Sequence, residues 1–220
     1  MSQPKPPQTG TALILAAGQA QRMGVPKQLI PIEGVPLLLR AIAAAQGAQL
    51  RPLVVLGAHR DKVEAILPEG TARLVHPGWE TGMGSSISAG LHHLFQTAPP
   101  PRRLMVMVCD QPHITAKHLG RLLKACDTDL VDAAAAQYQG LLGTPACFTP
   151  RAYPQLRALP PHQGARKLLR SGRLTVAPVP MPEAGLDLDT PDDVAQCVGA
   201  ETAQRLLKDA AHRPDPKHSS

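Results

Sequence analysis

Aromatic residues are scarce: Phe, Trp and Tyr together make up 2% of the 220 positions. The core must therefore be filled by Leu, Val, Ile, Ala and Met. A surface that holds single-stranded nucleic acid by stacking has little to be built from. A compact run of Lys or Arg is also lacking, although the net charge is +6. That charge points only weakly to an anionic partner; a phosphorylated small molecule suits it equally well, and no nucleic-acid partner is expected. No apolar stretch reaches the roughly 18 residues of a membrane span. Met1 to Thr9 lacks the apolar segment of a signal peptide. The expectation is a cytoplasmic protein with no membrane partner. Cys109, Cys126, Cys147 and Cys197 form no CxxC pair, so a zinc site or a disulfide framework is not expected and reduced thiols are.

What is present is organised as one domain. Residues 1–9 are Pro-rich and residues 209–220 are polar with no apolar face, so both read as disordered tails around a domain over 10–208. Inside it, short apolar runs alternate with helix-length segments. Strands are predicted at 11–16, 52–57, 71–75, 103–109, 131–136 and 174–179. Helices are predicted over 36–46, 61–67, 85–95, 115–126, 151–156, 163–169 and 191–208. Strands that are apolar throughout and separated by helices imply an α/β fold, a three-layer Rossmann-like sandwich around a mainly parallel sheet. Such sheets bind ligands where the strands end.

The loop after the first strand runs Ala16-Ala17-Gly18-Gln19-Ala20-Gln21-Arg22-Met23-Gly24-Val25-Pro26-Lys27. Small residues let backbone N–H groups approach phosphate oxygens, and Arg22 and Lys27 add charge where a triphosphate would lie. The loop matches neither a dinucleotide fingerprint nor a P-loop. A plain turn accounts for the glycines but not for two spaced cations.

Asp110 closes the strand 103–109 before a proline turn. A carboxylate there packs poorly and suits a magnesium ion, which takes one or two carboxylates plus substrate phosphates. The alternative role, a helix cap, falls more naturally to Thr115. Asp187 and Asp189 lie on one side of an extended segment before Pro191. Capping of the following helix by Thr190 or Asp189 explains one polar residue there but not both carboxylates. Gly82, Gly84, Ser85 and Ser86 open a helix in a second polar loop, suited either to a nucleobase or to simple capping. Trp79 beside it is read as packing the loop. The histidines have no metal-ligand spacing and are read as surface or packing residues.

Taken in order, LILAAGQAQRMGVPKQL, HPGWETGMGSSISAGL, MVCDQP, GTPACF and DLDTPDD resemble the molybdenum cofactor cytidylyltransferases, within the nucleotidyltransferases of MobA-like fold. The resemblance spans roughly Thr11 to Val198. It implies a phosphate loop at Ala16, Ala17, Gly18, Arg22 and Lys27, with Arg22, Lys27 and Asp110 catalytic. It implies Mg2+ on Asp110, Asp187 and Asp189. Nucleobase and ribose would lie near Gly82, Gly84, Ser85, Ser86, Ala89 and Gly90, and the acceptor pocket near Gly143 and Pro145. The reaction implied is transfer of CMP from CTP to the terminal phosphate of molybdenum-bearing molybdopterin, with a client molybdoenzyme as a further partner. The alternatives are a guanylyltransferase on the same acceptor, a transferase using another phosphorylated or hydroxylated acceptor, and a non-catalytic maturation factor that delivers cofactor. One departure stands out. Where the family has Gly-Asp-x-Gly-Ala-Arg, this chain has Pro161-His162-Gln163-Gly164-Ala165-Arg166.

Overall fold

The computed structural model describes residues 10–211, so the tail expected at 1–9 and the end from 212 onward lie outside the described residues. The first apolar run is β1 (Gly10–Ala16), followed by a small hairpin of β2 (Pro31–Ile32) and β3 (Val35–Pro36). Then come α1 (Leu37–Gly47), β4 (Leu50–Leu56), α2 (Arg60–Glu64), β5 (Ala72–Val75), α3 (Met83–Thr97) and β6 (Leu104–Val108). The second half holds α4 (Ala116–Ala125), β7 (Ala133–Tyr138), β8 (Leu141–Phe148), α5 (Tyr153–Arg157), α6 (Ala165–Leu169) and β9 (Val176–Pro180). It closes with α7 (Pro191–Val198) and α8 (Ala200–Ala211).

Seven strands form one sheet in the order β5-β4-β1-β6-β8-β7-β9. All run parallel except β8, which pairs antiparallel with β6 and β7. Successive residues of β1 point to opposite faces. Ala12, Ile14 and Ala16 meet Leu38, Ile42 and Leu119 from α1 and α4. Leu13 and Leu15 meet Ile87 and Leu91 of α3 and Leu156 of α5. Helices thus cover both faces, the expected three-layer α/β sandwich. Its interior is aliphatic, each fully buried Leu or Ile contributing roughly 2 kcal/mol. Gly90 lets α3 lie directly on the sheet, since a Cβ there would strike the Leu13 methyls. Among the described residues no helix is long and apolar enough to cross a membrane.

Besides the small β2–β3 hairpin, two differences from the sequence reading shape the site. Strand β8 was not expected. Its Pro145 lacks an N–H, which argues against a central strand. The structure accommodates it in a bulge: the pairing jumps from Ala135↔Ala146 to Ala136↔Gly143, leaving Thr144 and Pro145 outside the ladder. The helix expected over 191–208 is broken at Gly199, whose φ of 85° lies outside helical geometry, and its second half runs on to Ala211. This break lets α7 and α8 fold over the loop after β1. Leu188, Val194 and Ala203 pack there against Met23, Val25 and Ile30 in a separate apolar cluster.

Helix α7 begins with a reciprocal cap. The Asp193 N–H donates to Thr190 Oγ1 at 3.2 Å, and the Asp193 carboxylate accepts from the Thr190 hydroxyl at 2.8 Å. The same carboxylate accepts from the N–H groups of Asp189 and Thr190 at 2.9 and 2.7 Å. These bonds, the Thr190 hydroxyl foremost, hold the Asp193 carboxyl below its ordinary value of 3.8. A depressed carboxyl stabilises the fold above its unfolded value and ceases to do so as pH falls through the folded one. Asp193→Ala should therefore cost about 1 kcal/mol in urea unfolding at pH 7. The gap to wild type should close as the pH drops below 3.8. Equal midpoints at pH 7 would dismiss the cap as a source of stability.

Candidate active site

Strands β1 and β6 are hydrogen-bonded neighbours, so the loop after β1 and the acid after β6 emerge side by side. The loop is pinned from below by Gln28, a buried amide that donates to the carbonyls of Ala16 at 2.7 Å and Gly18 at 3.2 Å. Ala16 and Ala17 are themselves buried, while Gly18 is exposed. The expected phosphate loop thus has a fixed root and an open tip. Ala20, with φ of 55°, turns the chain so that the N–H groups of Met23 and Gly24 both return to its carbonyl.

Lys27 is the centre of the arrangement. Its Nζ lies 2.8 Å from Asp110 Oδ2 and 2.6 Å from Asp189 Oδ1. Arg22 reaches the other oxygen of Asp189 at 3.0 Å. Lys27 and Asp110 are mostly enclosed, with side chains 17% and 18% exposed, whereas Arg22 is 72% exposed. Burial works against the Lys27 charge, but the Asp110 and Asp189 carboxylates outweigh it and hold the ammonium above its ordinary value. Asp110 Oδ1 is buried and has no partner among the described residues. The neighbouring Cys109 thiol is pushed up to about 12 by burial and by the Asp110 charge, so it stays neutral beside the site.

The acidic segment before α7 is docked by backbone and amide bonds. Leu188 N–H donates to the Asp110 carbonyl at 3.0 Å. Gln111 Nε2 donates to the carbonyls of Thr144 and Ala184 at 3.1 and 2.9 Å and to Asp187 Oδ1 at 3.0 Å. The bulge in β8 is what turns the Thr144 carbonyl out of the ladder toward this amide. Asp187 is thereby drawn to Gln111 and, at 3.6 Å, to Arg166. Its carboxyl is raised above the ordinary value, first by burial and next by the Asp110 charge. Among the described residues no group of three or more His, Cys, Asp or Glu side chains is gathered to hold a metal. Of the three expected aspartates, Asp110 and Asp189 share the Lys27 ammonium, while Asp187 meets the Gln111 amide and the Arg166 guanidinium.

A cleft of about 760 Å³ opens over the loop, lined by Gly18, Arg22, Lys27, Trp79, Glu80 and Asp189 among others. Trp79 does pack its loop, because a Cβ on Gly57 would come within 2.6 Å of its ring. It also borders the cleft, with Glu80 beside it; the sequence reading gives Trp79 a packing role only and does not single out Glu80. The glycine–serine segment that follows is tied to the chain's second half. Gly82 (φ of 120°) and Gly84 leave room for the Pro160–Gln163 backbone, which a Cβ at either position would strike. Ser85 N–H donates to the Pro161 carbonyl at 3.2 Å, and its Oγ donates to Gly82 O at 2.7 Å while lying 2.9 Å from His76 Nε2. Gly84 and Ser86 are buried. This segment thus holds α3 to the 160–164 loop, and Trp79 and Glu80 occupy the cleft wall. Gly143 and Pro145 are buried within β8.

Among known proteins, residues 12–177 match the family model described as the MobA-like NTP transferase domain. The purine catabolism protein PucB of Bacillus subtilis is 26% identical over 193 residues, covering 82% of this chain and 92% of its own. A probable molybdenum cofactor guanylyltransferase of Nostoc sp. is 28% identical over 197 residues, covering 86% and 90%. The crystal structure of Rv0371c from Mycobacterium tuberculosis H37Rv superposes with a TM-score of 0.74 at 27% identity, covering 91% of this chain and 98% of that one. A complex of Rv0371c with manganese superposes with a TM-score of 0.68 at 26% identity, covering 90% and 97%.

Proposed function

The chain belongs to the MobA-like NTP transferase family, and we propose that it transfers CMP from CTP to the terminal phosphate of a molybdopterin-type acceptor, releasing pyrophosphate. The observation that carries this reading is Lys27, standing between Asp110 and Asp189 at the foot of a cleft floored by the loop after β1. That arrangement answers the needs of phosphoryl chemistry: cations for the triphosphate on one side and paired carboxylates for a metal on the other.

The carboxylate pair fits a divalent ion. A position between Asp110 and Asp189 already accepts a positive charge, and Asp110 Oδ1 is buried without a partner. Mg2+ takes one or two carboxylates and completes its shell with phosphate oxygens and water. Asp110 and Asp189 would hold it, with Asp187 serving the neighbouring amide network, and when bound it would neutralise charge on the phosphates. The manganese complex of Rv0371c supports a divalent metal in this fold. Arg22, exposed at the cleft mouth, binds the outer phosphates. Lys27 stabilises charge that builds on the oxygens around the α-phosphorus. A phosphate nucleophile is already ionised at neutral pH, so the site needs position and charge more than a strong base.

The donor base and the acceptor rest on different support. Motif resemblance favours CTP; the name of the Nostoc relative favours GTP and gives the second reading. Molybdopterin as acceptor is supported by the same resemblance and the same name. Purified protein with Mg2+ and molybdopterin should release pyrophosphate with CTP and far less with GTP. The reverse preference moves the chain to the guanylyl reading. Tight molybdopterin binding with no pyrophosphate from any nucleoside triphosphate would remove the enzymatic reading and leave a cofactor-delivery protein for a molybdoenzyme.

A further inference from the structure

Beyond Asp110, on the side away from the phosphate loop, the sheet edge carries a second anchored cation. Strand β8 lies next to β6 and β7 next to β8, so Tyr138 at the end of β7 and Gly143 near the start of β8 share the edge where Asp110 emerges. A Cβ at position 143 would run into the Tyr138 hydroxyl and ring. Glycine there is what allows the phenol to lie across β8. Arg166, from α6, donates from Nη2 to the Tyr138 hydroxyl at 2.6 Å, with its guanidinium carbon 5.7 Å from the ring centroid. The same Nη2 stands 3.6 Å from Asp187 Oδ2, beyond hydrogen-bond distance, and the Arg166 side chain is 46% exposed. The guanidinium is therefore fixed in place yet still open toward solvent.

The chemistry of the transfer gives this group a task. In-line displacement requires the nucleophile to enter opposite the departing pyrophosphate. With the outer phosphates over the Arg22 loop, the acceptor must approach from the β8–β7 side. An attacking phosphate carries its own negative charge toward a site that already holds the Asp110 and Asp189 carboxylates, with Asp187 beside them. It needs a cation on its side, and a planar guanidinium offers paired N–H groups that match phosphate geometry.

We propose that Arg166, positioned by Tyr138 across Gly143, binds the attacking phosphate of the acceptor, so that the site selects an acceptor ending in a phosphomonoester. This rests on the nucleotidyl-transfer reading above and adds the residue that holds the nucleophile. In the step, an oxygen of the acceptor phosphate bonds to the α-phosphorus as the α–β bridging P–O bond breaks. Pyrophosphate leaves with that electron pair, and no oxidant or net proton is required. Tyr138 is a positioning residue, because it acts through Arg166.

Steady-state kinetics on the full chain with Mg2+, CTP and molybdopterin test this. Loss of one charge-assisted contact predicts a rise of about 10- to 100-fold in the acceptor KM for Arg166→Met, with the nucleotide KM unchanged. Arg166→Lys should recover little of it. Tyr138→Phe should raise the acceptor KM by itself and add nothing in the Arg166→Met background. A rise confined to the nucleotide KM would place Arg166 on the wrong substrate and overturn the proposal. A second measurement needs no turnover: arginine Nε–H resonances followed by NMR while phenyl phosphate is added. One resonance should shift in wild type and be missing in Arg166→Lys. If the Arg166 resonance ignores phenyl phosphate, the proposal fails even if the enzyme turns over. If wild type releases no pyrophosphate while that resonance shifts, the nucleotidyl-transfer reading fails and the phosphate site stands.

Discussion

Asp110→Asn is expected to lower nucleotidyl transfer by about 10³-fold while leaving the fold intact, since metal-borne charge stabilisation is worth several kcal/mol and each 1.4 kcal/mol is about tenfold in rate. The substitution keeps the shape of a side chain that is largely enclosed at the end of β6. It removes the charge that faces Lys27 at 2.8 Å and replaces one carboxylate oxygen with an N–H donor. An amide that points a donor at an ammonium, or at a metal, repels what it should hold. Leu188 N–H bonds to the Asp110 backbone carbonyl, so the acidic segment stays docked and the loss falls on chemistry. Asp110→Ala should be as inactive and somewhat less stable. Pyrophosphate release and thermal unfolding, measured on the same preparations, separate the effects. A variant that keeps a tenth of the activity with the wild-type metal requirement removes Asp110 from the metal.

Asp110 can be read from the sequence because an acid that closes an apolar run before a proline has no packing role. The loop from Ala16 to Lys27 is legible for a similar reason: its two cations have no apolar face to serve. The alternation of apolar runs with helical segments likewise carries the α/β sandwich. What cannot be read locally is who meets whom. That Asp189 shares the Lys27 ammonium with Asp110 emerges only in the fold, where Leu188 N–H meets the Asp110 carbonyl across a long sequence separation. Gln28 and Gln111 look like surface amides, yet they become buried struts once β1 and β8 offer them carbonyls. Strand β8 is masked by Pro145, because only the bulge opposite Ala135 and Ala136 makes a proline tolerable there. Gly82 and Gly84 are visible as permissive residues, but the Pro160–Gln163 backbone that requires them lies far along the chain.

Lys27→Met should produce two effects that respond to metal in opposite ways. In wild type one ammonium offsets two carboxylates, and its raised pKa keeps the stabilisation fully present below the ordinary lysine value of 10.5. It is lost only as the pH rises through the higher folded value. Among the described residues, removing the ammonium leaves Asp110 with no opposite charge in contact and Asp189 with the exposed Arg22. Breaking a fully buried pair costs about 3–5 kcal/mol. Because Asp189 is 38% exposed and solvent screens it, the expected loss is reduced to about 1–3 kcal/mol. Added Mg2+ should recover most of it, since a divalent ion can fill the position the ammonium held. Turnover should stay about 10²- to 10³-fold down even at saturating Mg2+, because the metal does not replace the charge that Lys27 presents to the α-phosphate. The check is the melting temperature with and without Mg2+, beside pyrophosphate release. If Mg2+ raises the melting temperature of the variant no more than that of wild type, the ammonium and the metal do not share the carboxylates. If Mg2+ also restores turnover, Lys27 is a placeholder for the cation and takes no part in the transfer.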